Sequence, residues 1–200
     1  MSARELSPLR QAQSKQAHEM ILSALAEALE DGTASHDIPI AEVARRAGVA
    51  ERTVYRHFPT KADMLAALSL WARENYLPLI PLPSLDDIPD VTRRVFTVYE
   101  TRPELTSALA VSEVGREVRS DLQADVVRQR RALLDAEFSD LDSATLDRVD
   151  AVLGYLDQAL AWHMLRTDFG LTGEESGATV GWAMRVLVDA LHRGDSPPSE

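Results

Sequence analysis

Twenty-three residues constrain this chain more than the other 177: Pro39 to Lys61, PIAEVARRAGVAERTVYRHFPTK. Ile40, Val43, Ala44 and Ala47 recur three and four apart, which places them on one face of a short helix. Gly48 follows the last of them. Glycine accepts φ > 0 without a Cβ clash, so it stops a helix. A second run, Glu51 to Phe58, turns Val54 and Phe58 inward and leaves Arg52, Tyr55 and Arg56 to point elsewhere. Two short helices joined by a three- to four-residue turn containing glycine form a helix-turn-helix, whose second helix fits the DNA major groove.

The segment VARRAGVAERTVYRHFPTK also resembles the DNA-binding signature of the TetR (tetracycline-repressor-like) transcriptional regulators. In that family a helix ending in A-G-V precedes a T-[LV]-Y-x-[HY]-F-x-x-K segment. The matching residues are Ala47, Gly48, Val49, Thr53, Val54, Tyr55, His57, Phe58 and Lys61. The likeness covers roughly the first third of the chain; beyond it the resemblance is one of architecture. It implies an all-α fold of about nine helices. An N-terminal three-helix helix-turn-helix DNA-binding domain would span residues 1–59 and a connecting helix 60–77. A helical ligand-binding and dimerisation domain would fill 78–200. Two positions depart from the family's pattern. Ile38 and Pro39 stand where a Thr or Ser commonly caps the first helix, and Ala50 stands where Ser caps the recognition helix. Losing that second cap costs on the order of 1 kcal/mol at the helix end.

A net charge of −11 opposes DNA binding for the chain as a whole, but it is unevenly spread. Residues 1–77 hold 9 Lys+Arg against 10 Asp+Glu, a net of −1, and residues 78–200 hold 12 against 22, a net of −10. Within 45–61, Arg45, Arg46, Arg52, Arg56 and Lys61 face Glu51 alone, a local +4. Phosphate neutralisation needs local charge, because a field decays over a Debye length of about 10 Å. Cysteine is absent, which removes disulfides, thiolate metal sites and a cysteine nucleophile together. No Glu-x-x-His pair or glycine-rich phosphate loop occurs, so neither a metal, a cofactor nor an enzymatic activity is expected. The N-terminus lacks the apolar core of a signal peptide, and no apolar run approaches a membrane span. A soluble, cytoplasmic protein without membrane contact is the expectation.

Along the chain, residues 1–13 read as a polar tail in which Arg4 and Arg10 form a possible basic arm. A helix is predicted over Ser14–Asp31, with Ala17, Ile21, Ala24, Leu25 and Ala28 as its stripe and Gly32 as its stop. After Pro59, Thr60 caps a helix with Asp63 in its first turn, a capping box with Asp in place of Glu. Four prolines between 78 and 90 mark a boundary loop. Further helices are predicted over Pro89–Glu100, Pro103–Glu113, Gly115–Phe138, Ser143–Phe169 and Gly173–His192.

The two last helices carry two apolar stripes each. Leu146, Val149, Leu153, Leu156 and Leu160 form one seam, and Val152, Tyr155, Ala159 and Trp162 a second. Val180, Met184, Leu187 and Leu191 form another, with Trp182 and Val186 beside it and Gly154, Gly181 and Ala183 permitting close approach. A surface helix needs one stripe, so two imply burial on two sides. Either both helices are central in a monomer, or they meet a second copy. The family likeness selects the homodimer, with the first and third seams as its interface.

The resemblance further implies the DNA contacts. Tyr55, His57, Thr53 and Lys61 would touch phosphates, Lys61 aided by its helix N-terminus; the alternatives are that Tyr55 and His57 belong to the core of a small three-helix domain and that Lys61 is a solvated lysine. Arg52 and Arg56 would read bases, since arginine pairs bidentately with guanine O6 and N7. Glu51 either accepts from cytosine N4 or is an ordinary helix-start acid, and one of Arg45 and Arg46 reaches the backbone. A ligand pocket lined by Phe96, Tyr99, Leu109, Trp162 and His163 is expected in the second part, although aromatics at helical spacing serve a core equally well. The function implied is a ligand-responsive repressor that binds a pseudo-palindromic double-stranded operator and is released by a small molecule. Activation, or a protein partner in place of the small molecule, is the alternative.

Overall fold

The computed structural model describes residues 8–197, and Arg4 lies outside them. Among the described residues it contains ten α-helices, one 3-10 turn and no strand. The first helix, α1 (Pro8–Glu30), begins six residues earlier than its apolar stripe requires, so Arg10 sits on an exposed helical turn. It ends where expected: Gly32 has φ +80°. The helix-turn-helix is α2 (Ile40–Arg46) and α3 (Glu51–His57), with Gly48 at φ +65° between them. Neither Pro39 nor Ala50 supplies a side-chain cap, which fits the missing hydroxyls. Next, α4 (Lys61–Asn75) starts at the predicted capping box: Thr60 Oγ1 accepts from the Asp63 N–H at 3.1 Å, and Asp63 accepts from the Thr60 N–H at 3.0 Å.

A proline-bearing loop and a 3-10 turn at Leu85–Asp87 lead into α5 (Ile88–Tyr99), α6 (Pro103–Val111) and α7 (Glu113–Glu137). Ser112 caps α7 by accepting from the Gly115 N–H at 2.9 Å, so Gly115 lies inside this helix instead of breaking the chain before it. The helix predicted over 143–169 is two helices, α8 (Ser143–Leu156) and α9 (Ala159–Phe169). Gln158 between them is extended, at ψ 159°. Asp157 just before it keeps helical angles, φ −87° and ψ −1°, and its carboxylate accepts a long 3.4 Å contact from the Thr92 hydroxyl of α5. Gly170 ends α9 in the left-handed conformation, and α10 (Gly173–His192) starts at a second capping box, Thr172 with Glu175.

Two apolar cores form. One unites Ile21, Leu22, Leu25 and Leu29 of α1 with Val43, Val54, Phe58, Met64, Leu65 and Leu68. It runs on into Leu105 and Leu109 of α6 and Val114 and Val118 of α7. The second gathers Ile88, Val91 and Phe96 with Leu134, Leu146, Leu153, Trp162, Val180, Met184 and Val188. Here α10 lies antiparallel on α5 through glycines four apart. A Cβ on Gly173, Gly177 or Gly181 would stand 2.5–2.8 Å from atoms of Glu100, Arg93 or Pro89. The close approach expected of Gly181 is therefore spent within the protomer.

That packing reassigns the predicted dimer seams. Leu146, Val149, Leu153, Val180, Met184 and Leu191 are buried inside the protomer, and Leu160 falls on α9, beyond the break. Leu156 is half-buried. Of the named residues only Leu187 is exposed. The apolar side chains facing solvent are the neighbouring ones: Val152 and Tyr155 on α8, Trp182 and Val186 on α10. Periodicity found both stripes on each helix, but which stripe faces inward is decided by α5 and α7, on which it is silent.

Candidate nucleic-acid interface and interior cavity

Seven residues make α3 too short to be stable alone, so its presentation depends on anchoring. Val54 is fully buried and Phe58 nearly so, while Val49 packs against the same core. With that side fixed, Glu51, Arg52, Tyr55 and Arg56 are exposed and Thr53 is half-buried. Arg52 and Arg56, four apart, share a face. Neither makes an ion pair among the described residues. They are the free cations of the helix.

The other basic residues are engaged. Glu42 accepts from Arg45 Nε at 2.7 Å and Nη2 at 2.6 Å, and from Arg46 Nε at 2.7 Å. Arg46 also pairs with Asp31 at 2.8 Å. Arg45 and Arg46 hold the Glu42 carboxyl down to about 2, and the Thr33 hydroxyl, then Arg46, hold Asp31 down to about 2, so both are ionised at any physiological pH. Lys61 sits 3.3 Å from Glu117 of α7 and 3.7 Å from Asp37. The local +4 of residues 45–61 thus meets four carboxylates that the fold brings from outside that window. His57 Nε2 is buried with no hydrogen-bond partner, and its ring lies 6.0 Å from that of His18. Burial, then Arg56 and His18, hold its pKa below the usual histidine value. Nε2 is not presented to a phosphate in this arrangement.

Three links tie this face to the rest of the molecule. The Ser35 carbonyl accepts from the Glu113 N–H at 3.0 Å, which docks the N-terminus of α7 on the loop before α2. Glu117 holds Lys61. Arg102, before α6, grips Glu30 at the end of α1 through both carboxylate oxygens and stacks 4.6 Å over the Tyr76 ring.

Further along α7 opens a cavity of about 530 Å³, bounded also by the 78–82 loop, α5, α6, α8 and α9. Tyr99 and Leu109 are among its lining residues. Phe96 and Trp162 are fully buried core residues outside it, and Trp162 donates its indole N–H to Glu100 at 3.1 Å. His163 pairs with the Ser107 hydroxyl at 3.1 Å instead. The lining is mostly apolar, with Arg73, Arg119, Arg130, Asp150 and Asp157 among it. Arg73 is bound to Asp125 and Arg130 to Asp150. Burial pushes the Tyr99 phenol well up. Burial also raises Asp157, to about 6, partly opposed by Arg130 and Thr92. Nothing in local sequence marks Asp157 or Arg119 as interior; the former sits beside the break between α8 and α9.

An exposed, cation-bearing second helix on an all-helical frame defines the class: a helix-turn-helix protein with a hollow helical second part. Residues 21–68 match the family model described as bacterial regulatory proteins, tetR family. Among curated proteins it is 37% identical over 98 residues to the nucleoid occlusion factor SlmA of Vibrio cholerae serotype O1, covering 46% of this chain and 50% of that one. It is 37% identical over 75 residues to SlmA of Photorhabdus laumondii, covering 38% of each. The matches therefore span half or less of those relatives. Two solved structures share the fold. NalD of Pseudomonas aeruginosa, described as the secondary repressor of a multidrug efflux pump, superposes with a TM-score of 0.61 at 20% identity over 87% of this chain and 96% of that one. A tetR-family regulator from Streptomyces coelicolor gives 0.63 at 18% identity over 91% and 85%. Among the described residues no helix is long and apolar enough to cross a membrane.

Proposed function

We propose that this protein is a homodimeric transcriptional repressor that binds a pseudo-palindromic operator through α3 and releases it when a small molecule occupies the cavity. The observation that carries the reading is the pairing of an exposed α3, with Arg52 and Arg56 unengaged, with an internal space of about 530 Å³ on the helix that holds Lys61. Residues 1–59 form its DNA-binding unit, α4 the connection, and 78–200 the regulatory and dimerisation unit. Arg52 and Arg56 read base edges, and Thr53, Tyr55 and Lys61 position the helix on phosphates. The partner copy packs on the exposed face of Val152, Tyr155, Trp182 and Val186, with Leu187 at its edge. In one form the two copies of α3 stand about 34–36 Å apart, one DNA turn. The ligand binds a form with another spacing better, and weakens DNA binding by its differential affinity alone. Displacement of α7, which lines the cavity and carries Glu113 and Glu117, is the transmitting motion.

The alternative, in which a protein partner takes the place of the small molecule, has the SlmA likeness behind it; the open interior favours the small molecule. Selection of bound duplexes from a random DNA pool tests the proposal. Enrichment of an inverted repeat with half-sites about one turn apart is expected, and a pool that stays random, or yields single half-sites, counts against it.

A further inference from the structure

We propose that the cavity takes an amphipathic ammonium compound, an apolar body whose protonated amine pairs with Asp157 at the break between α8 and α9. The inference rests on the reading of the cavity as a ligand site, and adds which chemistry that site selects. It starts from which charges in the wall are already answered. Arg130 donates to Asp150 at 2.6 Å and lies across Gly154, where a Cβ would strike its Nη2 at 2.6 Å. Arg73 is paired with Asp125. Arg119 has no carboxylate partner among the described residues, but its Nη1 donates to two main-chain carbonyls, those of Leu109 and Ala110.

Asp157 is different. Its one hydrogen bond among the described residues is the long 3.4 Å contact from the Thr92 hydroxyl, and no cation bridges it. A carboxylate taken out of water needs several donors or a counter-charge in contact; Asp157 has one long donor, and the nearby Arg130 guanidinium is bonded to Asp150 instead. Asp157 also follows the C-terminus of α8, where the helix presents carbonyl oxygens and a partial negative charge. Tyr99 lines the same space, and aromatic faces attract cations. The rest of the wall, including Leu82, Val91, Val95, Val126 and Met184, is apolar. The unmet polar demand in the cavity is therefore for one positive group, beside a surface suited to an aliphatic or aromatic body. A cation seated there would also sit at the joint of α8 and α9 and against Thr92 of α5, whose hydroxyl lies 3.5 Å from the Met184 sulfur of α10.

The test is calorimetric titration of the intact protein with three probes of one chain length: decylammonium, decanol and decanoate. One saturable site per chain is expected for decylammonium, at least about tenfold tighter than decanol, with decanoate weakest. In Asp157→Asn the decylammonium affinity should drop to that of decanol, with decanol unchanged. Exposed Asp168→Asn should bind all three as before, which separates the site from general attraction to an acidic protein. Should Asp157→Asn not fold, the wild type supplies the second arm. Between pH 7.5 and 5 the decylammonium affinity should fall about tenfold as Asp157, with its pKa of about 6, is protonated, while decanol stays constant. Tyr99 and Arg130 are the charged or titratable groups that couple to Asp157, and phenols, guanidinium groups and alkylammonium probes do not ordinarily titrate in that window. Equal or tighter binding of decanol or decanoate, or an unaltered decylammonium affinity in Asp157→Asn, overturns the ligand class and leaves the cavity reading standing. Absence of binding by all three overturns both.

Discussion

Asp157 sets a stability signature as well as a specificity. Its folded pKa, about 6, lies above the unfolded value of 3.8, so between those values the native state holds the proton more firmly. Stability therefore falls as pH rises through about 4 to 6 and is level above. Asp157→Asn removes the charge, so at pH 4 it should match the wild type, and at pH 7 exceed it by on the order of 2 kcal/mol. Urea denaturation at the two pH values checks this, and a difference that does not grow with pH contradicts it. At this scale the sequence was most legible where chemistry is local. Gly32, Gly48 and Gly170 take positive φ, and Thr60 with Asp63 closes its capping box. It was least legible where a distant partner decides. Glu42, Asp31 and Glu117 claim cations that a window of 45–61 counts as free, and His57 turns Nε2 inward.

Among the elements, α5 and α10 show the same division. The run Gly173, Gly177, Gly181 has the spacing of a close helix contact, but nothing in the run names the other helix. Glycine to alanine inside an exposed helix normally stabilises by about 1 kcal/mol. At Gly181 a Cβ would lie 2.8 Å from the Pro89 Cα and 2.9 Å from its carbonyl oxygen, backbone that cannot step aside cheaply. Gly181→Ala should therefore destabilise, by about 1–3 kcal/mol. A higher denaturation midpoint would show that α5 yields. The contact of α7 with α4 carries a second expectation. Glu117→Gln removes the nearer partner of Lys61, leaving Asp37 at 3.7 Å, and takes a negative charge from beside the proposed DNA face. Both partners are about half exposed, so the effect is modest, a two- to fivefold gain in DNA affinity at low salt that fades near 1 M. A loss of affinity would mean that Glu117 positions Lys61 for phosphate instead of withholding it.

For the whole molecule, fold class and helix order were readable because helix, glycine stop and proline loop repeat along the chain. The split of α8 from α9 was not; the contact beside it, of Asp157 with Thr92, joins residues 65 apart. Nor was the outward face of α8 and α10. Trp182, 66% exposed, and Tyr155, 62% exposed, now mark the surface proposed to meet a second copy. Truncating a large aromatic anchor at an interface costs about 2 kcal/mol or more. Trp182→Ala should shift the dimer toward monomer by at least about 30-fold in sedimentation equilibrium, and full operator affinity should fall with it. A wild type that sediments as a monomer, or a variant as dimeric as the wild type, removes Trp182 from the interface. The acidic balance of residues 78–200, net −10, works against non-specific attraction to phosphate. The most direct measurement is the affinity of wild type and Arg56→Ala for the selected operator and for a scrambled duplex of equal length. The variant should lose about 10- to 100-fold on the operator and far less on the scrambled duplex. Equal loss on both would make Arg56 a phosphate contact, and no loss on either would mean that α3 does not read DNA through it.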